Sequence, residues 1–549
     1  MKKYLIIHTK DNVAVALQDL SKGTHFEELS SGLTVQDKVK AKHKFVLEDI
    51  KEGQEIFQYG VSVAKAKWDL PKGSLINTEN VVHSTDGYCE WEPGHDWDKP
   101  NISKFEGRTF QGFHREDGQV GTSNNWLIIP LVFCENNNLL TLREVFNKEL
   151  GFSDLSPYHA QVQELCDLYE QGLSADAILA QASSSSEIAA KANKTFPNVD
   201  GLKFLTHSLG CGGIQDDSET LCRLIAGYIN HPNTAGATIL SLGCQKAQIS
   251  MVQNRLNELN SNLSKPVYFL EQQEIGTEKE LINQAIQKTF VGLMKANEAQ
   301  RSPAPLSELT IGVECGASDG FSGISANPVI GQVSDLITTL GGSAVLSEFP
   351  ELCGVEQEMI RRCETKEISD QFVDLMRRYE DAAGSCGASM SANPSPGNIK
   401  DGLITDAIKS AGAAKKGGTS TIKDVQDYTG YINKKGLSLL CTPGNDVEST
   451  TALAGAGCNL ILFSTGLGTP TGNPVTPVLK VSSNTILAEK MPDLIDYNSG
   501  TIIEGTKSLE EAGEELLELC IKVASGELQC KADERGQDDF IPWKRGVSL

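Results

Sequence analysis

The chain has 549 residues, 39% of them hydrophobic and 22% charged, and a formal net charge of −23. That length should hold more than one domain, three in our reading, and the composition is that of an ordinary globular protein. The acidic balance argues against nucleic acid or an anionic membrane as a partner, and an anionic substrate would need a local basic pocket.

No apolar run approaches the roughly 18 residues of a membrane span. The start, MKKYLIIHTKDN, is too weakly apolar for a signal peptide, so a cytoplasmic protein is expected. The 14 cysteines include no C-x-x-C. Zinc-ribbon and thioredoxin signatures are therefore missing, and most thiols read as buried small hydrophobes.

Residues 1–90 carry a small repeat. Asp19 to Gly23, Asp49 to Gly53 and Asp69 to Gly73 share one Asp-x-x-x-Gly pattern beside apolar-alternating runs. Asp can close an Asx-type turn and Gly can take positive φ, which predicts a compact all-β module with three similar turns. His8, Asp11 and Asn12 lie at the end of its first strand, and His43 and Lys44 precede another. A His–Lys pair can supply a proton donor and a carboxylate anchor. Residues 91–106 mix Pro, Gly and charge and read as a linker, with His95 expected in solvent.

The central region, 107–300, opens with turn signals at Asp117-Gly118 and Gly121 before a buried strand predicted over Trp126 to Phe133. In FLTHSLGCGGIQDD a strand end leads to His207 and Cys211 in a Gly-rich loop, then to a helix from about Ser218. Such a loop can hold an anion on backbone N–H groups, but it is not a P-loop, so nucleotide binding is unsupported. ATILSLGCQKAQI repeats the theme with Cys244, and Lys246 is a candidate cation. The alternation argues for a parallel sheet. His207 and Cys211 suit Fe(II) or Zn, as many buried pairs would.

RSPAPLSEL marks a boundary before the last region, 301–549. A short strand, Ile311 to Val313, is followed by a loop from Cys315 to Ser325 that holds Ser318, Asp319 and Ser322. A helix is predicted over Pro328 to Leu340 and a second strand over Ala344 to Leu346. Loops at the carboxyl ends of such strands are where α/β proteins bind ligands. Residues 393–420 form a Gly/Ser/Pro-rich loop with Asn398 and Lys416. The sequence TPGND places Asn445 and Asp446 before a helix starting near Val447, where Asp446 is equally a candidate N-cap. STGLGTPTG adds hydroxyls, Thr465 among them, and Ser508 to Glu511 is a capping box ahead of an amphipathic run.

These motifs together resemble the altronate/galactarate dehydratase family, from His8 to about residue 500. His8, Asp11 and Asn12 match H-x-x-D-N-V-A. His43 and Lys44 match G-H-K, with Lys42 where the family has Gly. Arg115, Asp117 and Asn124 match G-x-x-R-x-D-G-x-V-G-T-R-N, with Ser123 in place of the Arg. Asn393 to Asn398 match N-P-S-P-G-N, and Lys409 and Lys416 match K-S-L-G-C-T-Q-K-G-G. Gln245 stands where Glu is usual, and Ala413 where Cys is common. The resemblance implies a multidomain α/β protein. An all-β SAF-type β-clip module (1–90) is followed, after the linker, by two α/β domains with mainly parallel sheets (107–300 and 301–549).

The resemblance also implies a reaction, the dehydration of D-altronate to 2-dehydro-3-deoxy-D-gluconate in hexuronate catabolism. Galactarate dehydration and sulfolactate sulfo-lyase chemistry are the alternatives within the family. Removing the C2 proton beside a carboxylate requires that the carboxylate be neutralised, that a base take the proton and that an acid assist the leaving C3 hydroxyl. The catalytic candidates are His43, Lys44, His8 and Asp319. The substrate-binding candidates are Asp11, Asn12, Arg115, Asn124, Lys246, Ser318, Ser322, Asn398, Lys416, Asn445, Asp446 and Thr465. Fe(2+), with Mn(2+) as a substitute, is the implied cofactor, and His207, Cys211, Cys244 and Cys315 are the candidate ligands. A homo-oligomer, most simply a dimer, acting on a small sugar acid is expected. Two other readings stand beside it: an iron–sulfur hydro-lyase using Cys211, Cys244 and Cys315, and a non-catalytic sugar-acid sensor.

Overall fold

The computed structural model describes residues 2–29, 32–85, 87, 89–152, 157–181 and 194–548. The N-terminal module pairs Tyr4–Leu5, Val13–Ala16, Lys44–Val46 and Leu75–Ile76 in one antiparallel sheet, and Glu55–Gln58, Val61–Ala66 and Val81–His83 in another. The three repeat glycines take positive φ, +87° at Gly23, +77° at Gly53 and +86° at Gly73. A Cβ at Gly73 would sit 2.1 Å from Thr34 O, so this turn also needs the missing side chain. The Asp residues do something other than the expected Asx turns. Asp49 accepts from Lys72 N and Asp69 from Glu52 N, so the second and third turns cap each other, while Asp19 accepts from Ala41 N.

The linker is packed rather than free. Trp91 Nε1 donates to Cys363 O at 2.9 Å. His95, expected in solvent, is half-buried, with Nε2 2.9 Å from Thr419 O. The RSPAPLSEL segment read as a boundary contains a strand, Arg301–Pro305, which pairs antiparallel with Thr109–His114 and ties the central region to the last one.

The central sheet holds β1 (Asn125–Pro130), β2 (Gly201–Phe204), β3 (Thr234–Ser241) and β4 (Val267–Glu271) in the order β2-β1-β3-β4, all parallel. The first strand stops at Pro130, before the predicted Phe133, because Phe133–Glu135 turns into a 3-10 helix. Helices α1 (Gln215–Asn230) and α2 (Glu278–Ala296) pack on the sheet. Trp126 is fully buried, and only a glycine at 292 lets α2 approach it, since a Cβ there would lie 2.0 Å from the indole.

The C-terminal sheet has seven parallel strands. They are β5 (Thr310–Cys315), β6 (Ser343–Leu346), β7 (Ile422–Gln426), β8 (Gly436–Leu440), β9 (Leu460–Thr465), β10 (Val478–Ser482) and β11 (Tyr497–Asn498), in the order β7-β8-β6-β5-β9-β10-β11. Strands β6, β9 and β10 are buried at every residue, as expected when helices cover both faces of a parallel sheet. The helices that matter below are α3 (Ala326–Thr339), α4 (Asp406–Ala413), α5 (Asp446–Gly455) and α6 (Leu509–Ala524). The chain leaves β5 toward β6 on one side and later returns to β9 on the other. The loops diverge there, at the carboxyl ends of the strands, which is where open α/β sheets bind their ligands.

Candidate active site

Polar residues gather at those carboxyl ends. Cys315 ends β5, Glu348 and Glu351 follow β6, Lys409 lies on α4 and Lys416 just after it. Cys315, Glu348, Glu351 and Lys416 are each no more than 2% exposed. Lys416 Nζ donates to Cys315 Sγ and to Glu348 Oε2, both at 2.7 Å. Cys315 Sγ donates to Glu351 Oε2 at 2.8 Å. Lys409 Nζ pairs with Glu351 Oε1 at 2.7 Å and donates to Asn393 Oδ1. One residue back on β5, Glu314 accepts from the hydroxyls of Ser347 and Ser449, both at 2.6 Å.

So many buried ionisable groups shift one another. Burial pushes the Glu314 carboxyl well up, and Glu348 adds to this. Glu348 is raised by burial and by Glu351. Glu351 moves the other way: burial opposes its charge, but Lys409 and Lys416 hold its pKa below the usual carboxylate value. Burial and the carboxylates of Glu348 and Glu351 push the Cys315 thiol well up, which agrees with its donating to Glu351. Burial opposes the charge of Lys416 too, but Cys315 and the acids keep it protonated. Asp446 stands at the start of α5, and burial together with Glu348 and Glu351 pushes its pKa up to about 7.

The backbone here is held in unusual conformations. Ala317 sits at φ +51° and Glu348 at φ +66°, a region that residues with side chains rarely adopt and that clusters at functional sites. Gly316 has a separate reason to lack a side chain, because a Cβ would lie 2.1 Å from Asp446 Oδ2.

The β module docks on the same loop. Lys42, where a Gly was expected, holds φ +75° and presses its carbonyl between two glycines; a Cβ at Gly320 or Gly402 would lie 2.5 or 2.4 Å from it. Its ammonium reaches Asp319 Oδ2 at 2.8 Å and Asp401 Oδ1 at 3.3 Å. Lys44 is 1% exposed, donates to Gly402 O at 2.5 Å, and has its pKa lowered by burial to about 7 although Asp319 opposes this. His43 Nδ1 faces Ala41 O at 3.3 Å, which assigns the proton to Nδ1 and leaves Nε2 as an acceptor. Burial lowers the His43 pKa, so the ring is neutral near pH 7. Val15, Phe321 and Ile324 close the apolar part of the seam.

The candidates drawn from the sequence divide accordingly. Lys44, Ser318, Asp319, Ser322, Asn398, Lys416, Asp446 and Cys315 lie on or against the β5 loop or the acid cluster, and His43 lies at the docking seam between Lys42 and Lys44, near Asp401. Several of these have other work. Asp319 is fully buried and saturated: Oδ1 accepts from Phe321 N, Ser322 N, Ser322 Oγ and Ser483 Oγ, and Oδ2 from Asn484 and Lys42. It is a docking anchor rather than a proton acceptor. Ser322 serves that anchor, and Asn398 donates to Ser318 O. Asn445, not Asp446, is the N-cap of α5, accepting from Val447 N and Glu448 N, so Asp446 is left to face the cluster. Thr465 accepts from Gly468 N within its own turn.

Other candidates lie apart from the cluster. Asp11 and Asn12 are engaged by Gly60 N and Phe57 N inside the β module, and His8 is exposed beside Gly60. Arg115 donates to Pro232 O, Ser123 O and Asn124 Oδ1, and Asn124 donates to Asn198 O and Ala296 O. That network holds the start of the central sheet and leaves no fork for a carboxylate. Lys246 donates to Gly213 O at 2.6 Å. His207 accepts from Leu209 N at Nδ1 and donates from Nε2 to Pro130 O at 2.7 Å, so neither nitrogen is open to a metal. Cys211 and Cys244 are exposed on the central domain. Among the described residues, the His/Cys/Asp/Glu group with the spacing of a metal site is instead Cys315, Glu348 and Glu351, whose ligand atoms lie within 4.8 Å of one another.

Comparison with known proteins agrees with this architecture. Residues 2–84 match the altronate/galactarate dehydratase SAF domain, 112–297 the D-galactarate dehydratase/altronate hydrolase second domain, and 306–548 the D-galactarate/altronate dehydratase C-terminal domain. The chain belongs to the altronate/galactarate dehydratase family. It is a hydro-lyase, built as an N-terminal SAF domain and two α/β domains. The dehydratase is 34% identical to altronate dehydratase of Bacillus subtilis (strain 168) and 31% identical to altronate dehydratase of Escherichia coli (strain K12), in both cases over 549 residues and 100% of each chain. It is 29% identical to galactarate dehydratase (L-threo-forming) of Escherichia coli (strain K12) over 535 residues, 97% of this chain and 95% of that one. Among the described residues no helix is long and apolar enough to cross a membrane.

Sequence reasoning missed Glu314, Glu348 and Glu351. The signal was present: Glu348 and Glu351 directly follow a predicted strand in SEFPELCG, at the end where ligands bind. A thiol with two carboxylates is a donor set for a divalent first-row metal, and Glu348 Oε1 is buried without a hydrogen-bond partner among the described residues. The set fits Fe(2+) or Mn(2+).

Proposed function

We propose that the protein dehydrates a hexonate, D-altronate to 2-dehydro-3-deoxy-D-gluconate and water, as a step in hexuronate catabolism. The observation that carries this reading is the buried cluster of Cys315, Glu348, Glu351, Lys409 and Lys416, with Asp446 beside it. Cys315, Glu348 and Glu351 are the residues that would hold a divalent cation, which would neutralise the substrate carboxylate and stabilise the charge of the enolate.

The chain's own groups account for the rest. Lys409, 10% exposed at its side chain, is the cation on the open side of the cluster and receives the carboxylate. His43 Nε2 takes the C2 proton. Asp446, close to half-protonated at neutral pH, gives a proton to the C3 hydroxyl as it leaves as water. The enol then becomes the 2-keto acid, with no net oxidation. Docking of the β module covers the β5 loop, through Lys42 on Asp319 and Lys44 on Gly402 O.

The test is an anaerobic assay on D-altronate, galactarate and sulfolactate, with Fe(2+), Mn(2+) or chelator. Turnover of altronate at a kcat/KM at least tenfold above the others, lost on chelation, is expected. Preference for another substrate overturns the altronate reading. A second reading has its own observation: the Lys416 ammonium already bridges Cys315 and Glu348, so it could neutralise the cluster unaided. Chelator-resistant turnover would select it.

A further inference from the structure

A cavity of about 400 Å³ lies at the opposite end of the C-terminal sheet, where β7 and β8 begin. Trp97, Lys99, Ser420, Thr421, Lys423 and Lys435 line it. Three lysines around one cavity run against a chain of net charge −23. Two of them are tethered, Lys423 by Glu364 and Lys435 by Ser307 O at 2.5 Å, while Lys99 sits over the Trp97 ring at 5.5 Å. Two donors here are buried without a hydrogen-bond partner among the described residues, Trp97 Nε1 and Ser420 Oγ. Ser420 is only 2% exposed. Buried polar hydrogens are normally satisfied, and an unmatched pair beside three ammonium groups is the complement of an oxygen-rich anion.

The cavity wall is continuous with the active site. Ser420 lies four residues after Lys416. Between them the backbone is fixed from both sides, by Arg362 on Gly417 O and Ser420 O and by Asp335 on Thr419 N and Ser420 N. A ligand that pulls on Ser420 therefore acts on the short strap that ends at the buried Lys416.

We propose that this cavity binds a small oxyanion, a phosphate or a dicarboxylate, as an effector sensed at Lys416 through the 417–420 strap. Binding can be read without turnover, so its failure is separable from that of the substrate assignment. The full-length protein is titrated with orthophosphate and, separately, with malonate, by tryptophan fluorescence and calorimetry, with Trp97→Phe to assign the signal. Saturable binding by one of them is expected, and the tighter of the two names the ligand source. Lys99→Gln with Lys435→Gln should weaken it at least tenfold with the unliganded activity unchanged, and Ser420→Ala should weaken it severalfold. No saturation up to about 20 mM, weaker than a millimolar Kd, or equal affinity in the double variant, overturns the site. Binding that leaves kcat and KM within a factor of about 1.5 overturns the effector role.

Discussion

Single residues in the cluster are tuned by their neighbours, and the tuning makes signed predictions. Asp446 is raised to about 7 by burial and by Glu348 and Glu351. As a proton donor it works below that pKa, so kcat/KM should fall as pH rises through about 7. Glu351→Gln removes one of the charges that raise it. The residual activity should then show its limb at lower pH; an unmoved limb would detach Asp446 from this role.

Lys44 gives a stability prediction. Its folded pKa, about 7, lies below the ordinary 10.5, so between these values the unfolded chain holds the extra proton. Stability from this residue is therefore missing at neutral pH and recovers as pH rises, by up to about 1.4 kcal/mol per pH unit. Lys44→Met should raise the urea midpoint over the parent at pH 7.5, with the difference shrinking toward pH 10. A difference independent of pH would contradict this.

At the scale of elements, caps and close approaches position the chemistry. Asn445 caps α5, and Ser508 with Glu511 forms a reciprocal capping box on α6. Asn445→Ala and Ser508→Ala should each cost about 1 kcal/mol in denaturant melts. Only the first should also lower kcat, because α5 alone carries a site residue at its start. Gly316→Ala should leave the fold intact by circular dichroism yet cut turnover at least tenfold, because the new methyl group would displace Asp446. Wild-type turnover in that variant would mean that Asp446 need not stand where it does.

Over the whole molecule, a small β module completes a site on a much larger body. The ion pair of Lys42 with the fully buried Asp319 is one polar part of that contact, beside Lys44 on Gly402 O. Lys42 is raised in pKa by Asp319 and Asp401 although burial works against its charge. Lys42→Met leaves a buried carboxylate without its cation, at a cost of roughly 3 kcal/mol. A lower melting temperature and a raised KM are expected. Lys42→Gly should be somewhat less damaging, since it relieves a backbone held at φ +75°. If both variants melt and turn over like the parent, the docking contact carries no such energy.

Local rules were enough for much of this. Alternating strands and helices announced a parallel sheet, the β5 loop and α3 fell where periodicity placed them, and Ser508 with Glu511 marked a helix start that the structure keeps. Motif matches pointed to His43, Lys44 and Lys416, and position at the end of a strand or the start of a helix pointed to Cys315 and Asp446. What distance along the chain hid is which groups meet. Glu351 faces Lys409, Lys42 crosses to Asp319, and His207 Nε2 is spent on Pro130 O, all through contacts tens to hundreds of residues apart. Short-range periodicity reports which face of an element is buried. The charge state and partner of a buried side chain depend on what the fold brings opposite it, and only the assembled sheet, with the β module seated on its rim, decides that.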